Sequence, residues 1–179
     1  NEDIRTLKHA FLNSYFQTGL KSNIDEAVIN HINEHGLSEL SEKYTKIDEI
    51  PFDFARRRLS VIVSDGQKTQ MITKGAVEEI LGISTMVDYQ GNVSPITNAI
   101  KENIKKITKD LNKQGLRVVA VCQKNNLEKT SEFTVSDEKN MVLIGFIGFL
   151  DPPKESAKSS IEKLNKNGIR VIVLTGDNV

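Results

Sequence analysis

The 179-residue chain has a single cysteine, so no disulfide can form within it. That residue, Cys122, ends the run Val118-Val119-Ala120-Val121-Cys122, where a thiol reads as a small buried hydrophobe rather than a nucleophile. Net charge is also missing: 24 Lys and Arg balance 24 Asp and Glu. This balance argues against a dedicated nucleic-acid binder or a polybasic membrane anchor. No apolar run approaches the ~18 residues that a membrane-spanning helix needs. The longest, Met141 to Leu150, is interrupted by two glycines and reads as a buried strand. No signal peptide is expected, and the composition suits the cytosol. The chain starts at Asn1 and stops at Val179, just after a strand-like segment; both ends are expected to be cuts in a longer polypeptide. The common catalytic strings are absent as well. There is no Gly-x-x-x-x-Gly-Lys loop, no Gly-x-Gly-x-x-Gly, no Cys-x-x-Cys and no Gly-x-Ser-x-Gly.

What remains is 38% hydrophobic, enough for one sizeable core or slightly more. Ile4, Leu7, Phe11, Leu12, Tyr15 and Phe16 recur at helical spacing between Asp3 and Gly19. A second helix is predicted from Asp25 to Glu34, with Ala27, Val28 and Ile32 inward and Gly36 as its stop. Ile47, Ile50, Phe52 and Phe54 suggest an extended segment broken by Pro51. Leu59 to Val63 and Gln70 to Thr73 read as strands, joined through Asp65-Gly66, a strong hairpin signal. A short helix at Ala76 to Leu81 and a hairpin turning at Gln90-Gly91-Asn92 follow. Ile100, Ile104, Ile107 and Leu111 mark the clearest helix, ending at Gly115. Leu116 to Cys122 and Val142 to Phe149 are predicted strands, separated by a polar surface excursion from Asn125 to Asn140. Beyond Pro152-Pro153, Lys154 to Asn165 reads as helix and Ile169 to Leu174 as strand. The expected fold class is α+β. An antiparallel sheet flanked by helices comes first, and a strand–helix–strand unit with parallel strands follows. The boundary falls between residues 148 and 149, near two prolines that would restrict a hinge.

Several short strings could carry chemistry. His31-Ile32-Asn33-Glu34-His35 fits an inverted zinc-protease string. It sits in the last turn of a predicted helix, where cationic groups favour the dipole, and only His9 remains as a further histidine. No metal-ligand set is assigned. Arg56-Arg57-Arg58 reads either as a solvated basic face or as forks onto phosphate oxygens, with an aromatic nearby to stack on a base. Lys74-Gly75-Ala76 follows a strand and opens a helix. Glycine there would let a ligand approach the backbone, and lysine beside a helix N-terminus suits an anion. Thr175-Gly176-Asp177 ends an apolar strand, where a hydroxyl and a carboxylate suit phosphate and Mg²⁺. Each string is weak alone.

In order, Lys74-Gly75-Ala76, Gly115-Leu116-Arg117, Asp151-Pro152-Pro153-Lys154 and Thr175-Gly176-Asp177-Asn178 resemble the signatures of P-type cation-transporting ATPases. The finer strings Leu12-Asn13-Ser14-Tyr15-Phe16-Gln17-Thr18-Gly19 and Asp48-Glu49-Ile50-Pro51-Phe52-Asp53-Phe54 resemble the bacterial magnesium-transporting branch. The resemblance implies a nucleotide-binding domain over 1–148. Residues 149–179 would be the hinge and part of a haloacid-dehalogenase-like phosphorylation domain. It implies ATP with Mg²⁺ as cofactors. It also implies a cytoplasmic domain of a plasma-membrane protein, working with the phosphorylation, actuator and transmembrane domains of the same polypeptide and with no nucleic acid.

The resemblance also implies roles for individual residues. Phe52 would stack on adenine, Lys74 and Gly75 would line the pocket, and Arg57 would contact the nucleotide. Arg117 would reach the polyphosphate, and Asp25 would contact the base through a shorter side chain than the family's glutamate. Asp151 and Lys154 would belong to the hinge. Thr175 and Asp177 would belong to the phosphorylation site, with Thr175 donating to the transferring phosphoryl group. The Asp-Lys-Thr-Gly-Thr segment of the phosphorylated aspartate and the later Gly-Asp-Gly-x-Asn-Asp segment are absent. The chain is therefore expected to bind nucleotide without turning it over. Two rivals stand beside this reading. A haloacid-dehalogenase-type phosphatase would need an Asp-x-Asp, which the chain lacks. A non-catalytic interaction module would have lost nucleotide binding.

Overall fold

The computed structural model describes residues 3–19, 21–34, 38–125, 127, 131–150 and 155–172. The chain divides into two compact units, residues 1–149 and 150–179. In the first, helix α1 (Ile4–Phe16) is started by Asp3, whose carboxylate accepts the Arg5 N–H at 3.0 Å and the Thr6 hydroxyl at 2.8 Å. Helix α2 (Asn23–Glu34) follows. Strands β1 (Thr45–Asp53), β2 (Arg58–Ser64) and β3 (Thr69–Ala76) form an antiparallel meander. Next come α3 (Val77–Ile83), the hairpin β4 (Ser84–Tyr89) and β5 (Asn92–Pro95), α4 (Asn98–Lys113), β6 (Leu116–Asn125) and β7 (Met141–Leu150).

The seven strands make one sheet in the order β1-β2-β3-β6-β7-β4-β5. Its central strands are apolar on successive residues because both faces are covered. Val61, Val63, Ile72 and Val121 face a layer built by Phe11 and Leu12 of α1 and Val28 and Ile32 of α2. Ile62, Met71, Ala120 and Cys122 face the other way, toward Val77, Ile80 and Leu81 of α3 and Phe133. Burying each large side chain contributes roughly 1.5–3 kcal/mol, so these two layers hold the helices to the sheet. Cys122 is fully buried, and burial pushes its thiol up to about 12.

Four expectations are corrected. The sheet is mixed, not antiparallel, because β4 pairs with β7 in parallel; alternation along a strand carries no information on its direction. Pro51 does not break the extended segment, since β1 is an edge strand and proline lacks only a donor that an edge need not supply. The irregularity appears instead as a register shift between Ile50 and Asp53. Ala27 is exposed rather than inward. The polar stretch before β7 is no mere surface excursion: Phe133 and Glu138 are buried, and the Phe133 N–H donates to Asp48 at 2.8 Å.

The second unit contains α5 (Glu155–Lys166). Residues 169–172 of the predicted strand lie in no strand, and 173–174 fall outside the described residues, as does Gly36. A strand needs a hydrogen-bonded neighbour, and no described residue pairs with 169–172. No helix among the described residues is long and apolar enough to cross a membrane.

One close approach fixes the β2–β3 end of the sheet. Arg57 adopts a left-handed φ of 46°, and its carbonyl accepts the Ala76 N–H at 3.0 Å. A Cβ on Gly75 would stand 2.5 Å from that carbonyl oxygen and 2.5 Å from Arg58 Cβ. Gly75→Ala should therefore force the strands apart. The expected cost is about 1–3 kcal/mol, seen as a thermal midpoint lowered by roughly 3–10 °C in circular dichroism. Gly82→Ala, where nothing lies within 4 Å, should leave the midpoint unchanged or raise it slightly.

Candidate functional site

The arginine triplet lies at the mouth of the β1–β2 turn and is not a solvated face. Asp53 opens the turn: its Oδ1 accepts the N–H groups of Ala55 and Arg56, each at 2.9 Å. Its carbonyl accepts the Arg57 N–H at 2.7 Å. Arg56 donates to the Pro51 carbonyl at 2.7 Å and to both oxygens of Glu138 at 3.1 and 2.9 Å. Arg58 Nε reaches the same carboxylate at 2.7 Å, as does the Ser60 hydroxyl. A buried carboxylate needs such company, because an isolated buried charge is strongly penalised. Glu138 thus ties the stretch before β7 to the turn. Sequence reading missed it, although one acidic residue beside a predicted buried strand is its only signal. Arg57 points elsewhere and donates to Glu79 of α3 at 2.9 Å.

Phe52 leads into this turn and is 51% exposed. Its ring meets that of Phe54 at a centroid distance of 5.3 Å and an interplanar angle of 86°. The strand register runs Asp53–Arg58–Gly75 across three strands, with Leu59 opposite Lys74 one residue along. Phe52 is therefore two strand spacings, about 10 Å, from Lys74 in backbone terms. Lys74 pairs with Val121, so Arg117, four residues earlier on β6, shares the Lys74 face by alternation. Arg117 is exposed there.

Lys74 and Asp25 meet directly. The Lys74 ammonium is buried, donates to the Ser14 hydroxyl at 2.6 Å and forms an ion pair with Asp25. Asp25 also accepts the Ser22 N–H at 2.8 Å and the Ser22 hydroxyl at 2.7 Å. Burial alone would raise the Asp25 pKa. The Lys74 charge, with hydrogen bonds from Lys74 and Ser22, outweighs it and holds the carboxyl at about 2. Burial pulls the Lys74 pKa down, and Asp25 opposes this. Ser14 and Ser22 were not singled out by sequence reading. The signal for Ser14 was a polar residue on the inward face of α1, beside Asn13, whose amide donates to the Leu59 and Ile72 carbonyls at 3.2 and 2.8 Å.

The structure therefore brings Asp25 and Lys74 together, with Phe52 two strands away and Arg117 on the Lys74 face of the sheet, four residues before Val121. Arg57 is turned to α3, and Gly75 is packed under the Arg57–Arg58 backbone. Asp151, Lys154, Thr175 and Asp177 lie outside the described residues, as does His35. A separate cavity of about 460 Å³ lies between α1, α2 and β7, lined among others by Leu7, Val28, His31, Phe146 and Phe149. Of the strings singled out from sequence, only the histidine string reaches it, through His31; none of the residues assigned to nucleotide binding borders it. Chemically, the Phe52 shelf offers a ring face for a planar group, with a lysine–carboxylate pair and an arginine at hand for a polar and anionic remainder.

The Asp25–Lys74 pair has a pH signature. The folded Asp25 pKa lies below the unfolded value of 3.8, so its stabilisation is complete above about pH 4 and lost as pH falls toward about 2. Asp25→Asn should destabilise the chain by about 3–5 kcal/mol at neutral pH, because it strands the Lys74 charge. The gap to wild type should narrow by about 2 kcal/mol as pH falls from 4 to 2. Urea unfolding midpoints across a pH series check both numbers.

Comparison with known proteins gives the family. The family model described as "P-type ATPase, cytoplasmic domain N" matches residues 16–156. A magnesium-transporting P-type ATPase of Escherichia coli K12 is 43% identical over 175 residues, 97% of this chain and 20% of the relative. One of Salmonella typhimurium 14028s is 44% identical over 170 residues, 94% of this chain and 19% of the relative. A calcium-transporting ATPase of Listeria monocytogenes is 33% identical over 146 residues, 82% of this chain and 17% of the relative. The chain spans about one fifth of the length of these relatives. With a family match over residues 16–156 and magnesium-transporting relatives 43–44% identical over nearly its whole length, the chain belongs to the P-type ATPases as a cytoplasmic N domain.

Proposed function

We propose that this domain holds ATP for a pump that couples ATP hydrolysis to cation transport, with magnesium as the cargo. The observation that carries the reading is Phe52: an aromatic ring half exposed at a strand end whose turn is fixed by six side-chain hydrogen bonds from Asp53, Arg56 and Arg58. An apolar ring kept in solvent on a rigid mount is a platform for a base. The buried Lys74–Asp25 pair would meet the polar edge of adenine, and Arg117 would reach along the phosphates. Arg57 would have to leave Glu79 to join them. Mg²⁺ would travel on the phosphates, since the Asp25 carboxylate is taken by Lys74.

In this reading the base end of ATP is gripped here, and the γ-phosphoryl is offered to an aspartate elsewhere in the polypeptide. Phosphoryl transfer depends mainly on positioning and charge neutralisation, so binding at one end and delivery at the other divides the work sensibly. Residues 149–179 would be the hinge and the start of a haloacid-dehalogenase-like phosphorylation domain, with Asp151 in the hinge, Thr175 and Asp177 in the phosphorylation site and Thr175 donating to the phosphoryl group. The whole would be the cytoplasmic part of a plasma-membrane protein. The identity to magnesium transporters, higher than that to the calcium transporter, supports the choice of cargo.

Phe52→Ala should weaken ATP binding by about tenfold or more, since base–aromatic stacking contributes roughly 1–3 kcal/mol. Isothermal titration of ATP into both proteins measures this. Equal affinities would remove Phe52 from the site.

A further inference from the structure

The same turn carries a second ring with no role in the reading above. Phe54 is 89% exposed, more than any other large hydrophobic side chain described. Its one ring partner among the described residues is Phe52, at 5.3 Å and 86°. Exposure of this kind is unremarkable on a loose loop, but this turn is not loose. The Asp53 carboxylate caps the N–H of Ala55, the residue after Phe54, and that of Arg56. The Arg57 N–H closes back on the Asp53 carbonyl. Arg56 clamps the far side by bonding Pro51 and Glu138. The backbone on both sides of Phe54 is therefore fixed, and the ring is held out against the hydrophobic effect.

We infer that Phe54 is a second wall of the base site and that the Phe52–Phe54 corner selects purine over pyrimidine nucleotides. This rests on the proposed nucleotide reading. Two rings at right angles form a corner: a base lying on one ring brings its edge against the other. A bicyclic base spans both surfaces, whereas a single six-membered ring covers one and leaves the other wet. The added contact is of the edge-to-face kind that aromatic pairs favour. A protein partner docking on Phe54 is the competing occupant. The observation against it is that Phe54 contacts the very ring assigned to the base.

The experiment titrates ATP and CTP separately into the wild-type chain and into Phe52→Ala, Phe54→Ala and Phe54→Tyr. Amide spectra confirm that each variant is folded, as expected for so exposed a side chain. Phe54→Ala should weaken ATP about three- to tenfold, leave CTP nearly unchanged and so narrow the ATP/CTP ratio. Phe54→Tyr, which keeps the ring, should retain the wild-type ratio. If Phe52→Ala weakens ATP while Phe54→Ala does not, the inference fails and the nucleotide reading stands. Equal weakening of ATP and CTP by Phe54→Ala also overturns purine selection. A wild-type chain that binds neither nucleotide overturns both readings.

Discussion

A lysine ammonium enclosed by an apolar layer must find an anion, and that requirement organises this domain. Lys74 rises from β3 into the layer between the sheet and helices α1 and α2. Its charge is met by Asp25 of α2 and its remaining donor capacity by Ser14 of α1. Three elements distant in sequence are thereby tied at one point. The cost of desolvating the pair is offset only if its geometry is kept, so the helices cannot slide along the sheet without losing it. The same pair leaves a polar spot within an otherwise apolar layer.

A second lock acts from the opposite face. Arg56 and Arg58 converge with Ser60 on the buried Glu138, while Arg57 swings out to Glu79. The turn this creates presses the Arg57 carbonyl over Gly75, where no Cβ fits. Two strings that looked independent, the arginine triplet and Lys-Gly-Ala, are thus one packing unit. Its effect is positional: it sets Phe52 at the end of β1 and Phe54 in the turn that follows, two strands from Lys74. The electrostatics of the triplet are largely internal, so in the proposed function its contribution to an anionic ligand would come through Arg57 and through the turn it braces rather than through three open cations.

Most elements were legible from pattern. Phe11 and Leu12 at helical spacing, Asp65-Gly66 between two alternating runs and the isoleucines of α4 each gave the right element close to its observed bounds. Strand direction was not legible, because β4 finds β7 across some fifty residues and nothing local records that pairing. Glu138 looked like one more charge in a polar stretch; only the folded neighbours make it a buried hub. The site was partly legible. The resemblance named Asp25 and Lys74 separately, and the structure shows them bonded to each other. The residues alone suggested room for a ligand at Gly75, and the structure sets the Arg57 carbonyl and Arg58 there. Phe54 was noted only within an extended segment and within the string resembling the magnesium-transporting branch, because exposure cannot be read from a hydrophobic letter.

The proposed nucleotide site lies at the Phe52 shelf, whereas the cavity of about 460 Å³ between α1, α2 and β7 offers a different place. Mapping amide shifts in the ¹⁵N-labelled chain during an ATP titration decides between them. The account predicts the largest shifts over residues 52–57, at Lys74 and Gly75, and at Asp25. Shifts confined to the lining of that cavity, or no shifts at all, would contradict it.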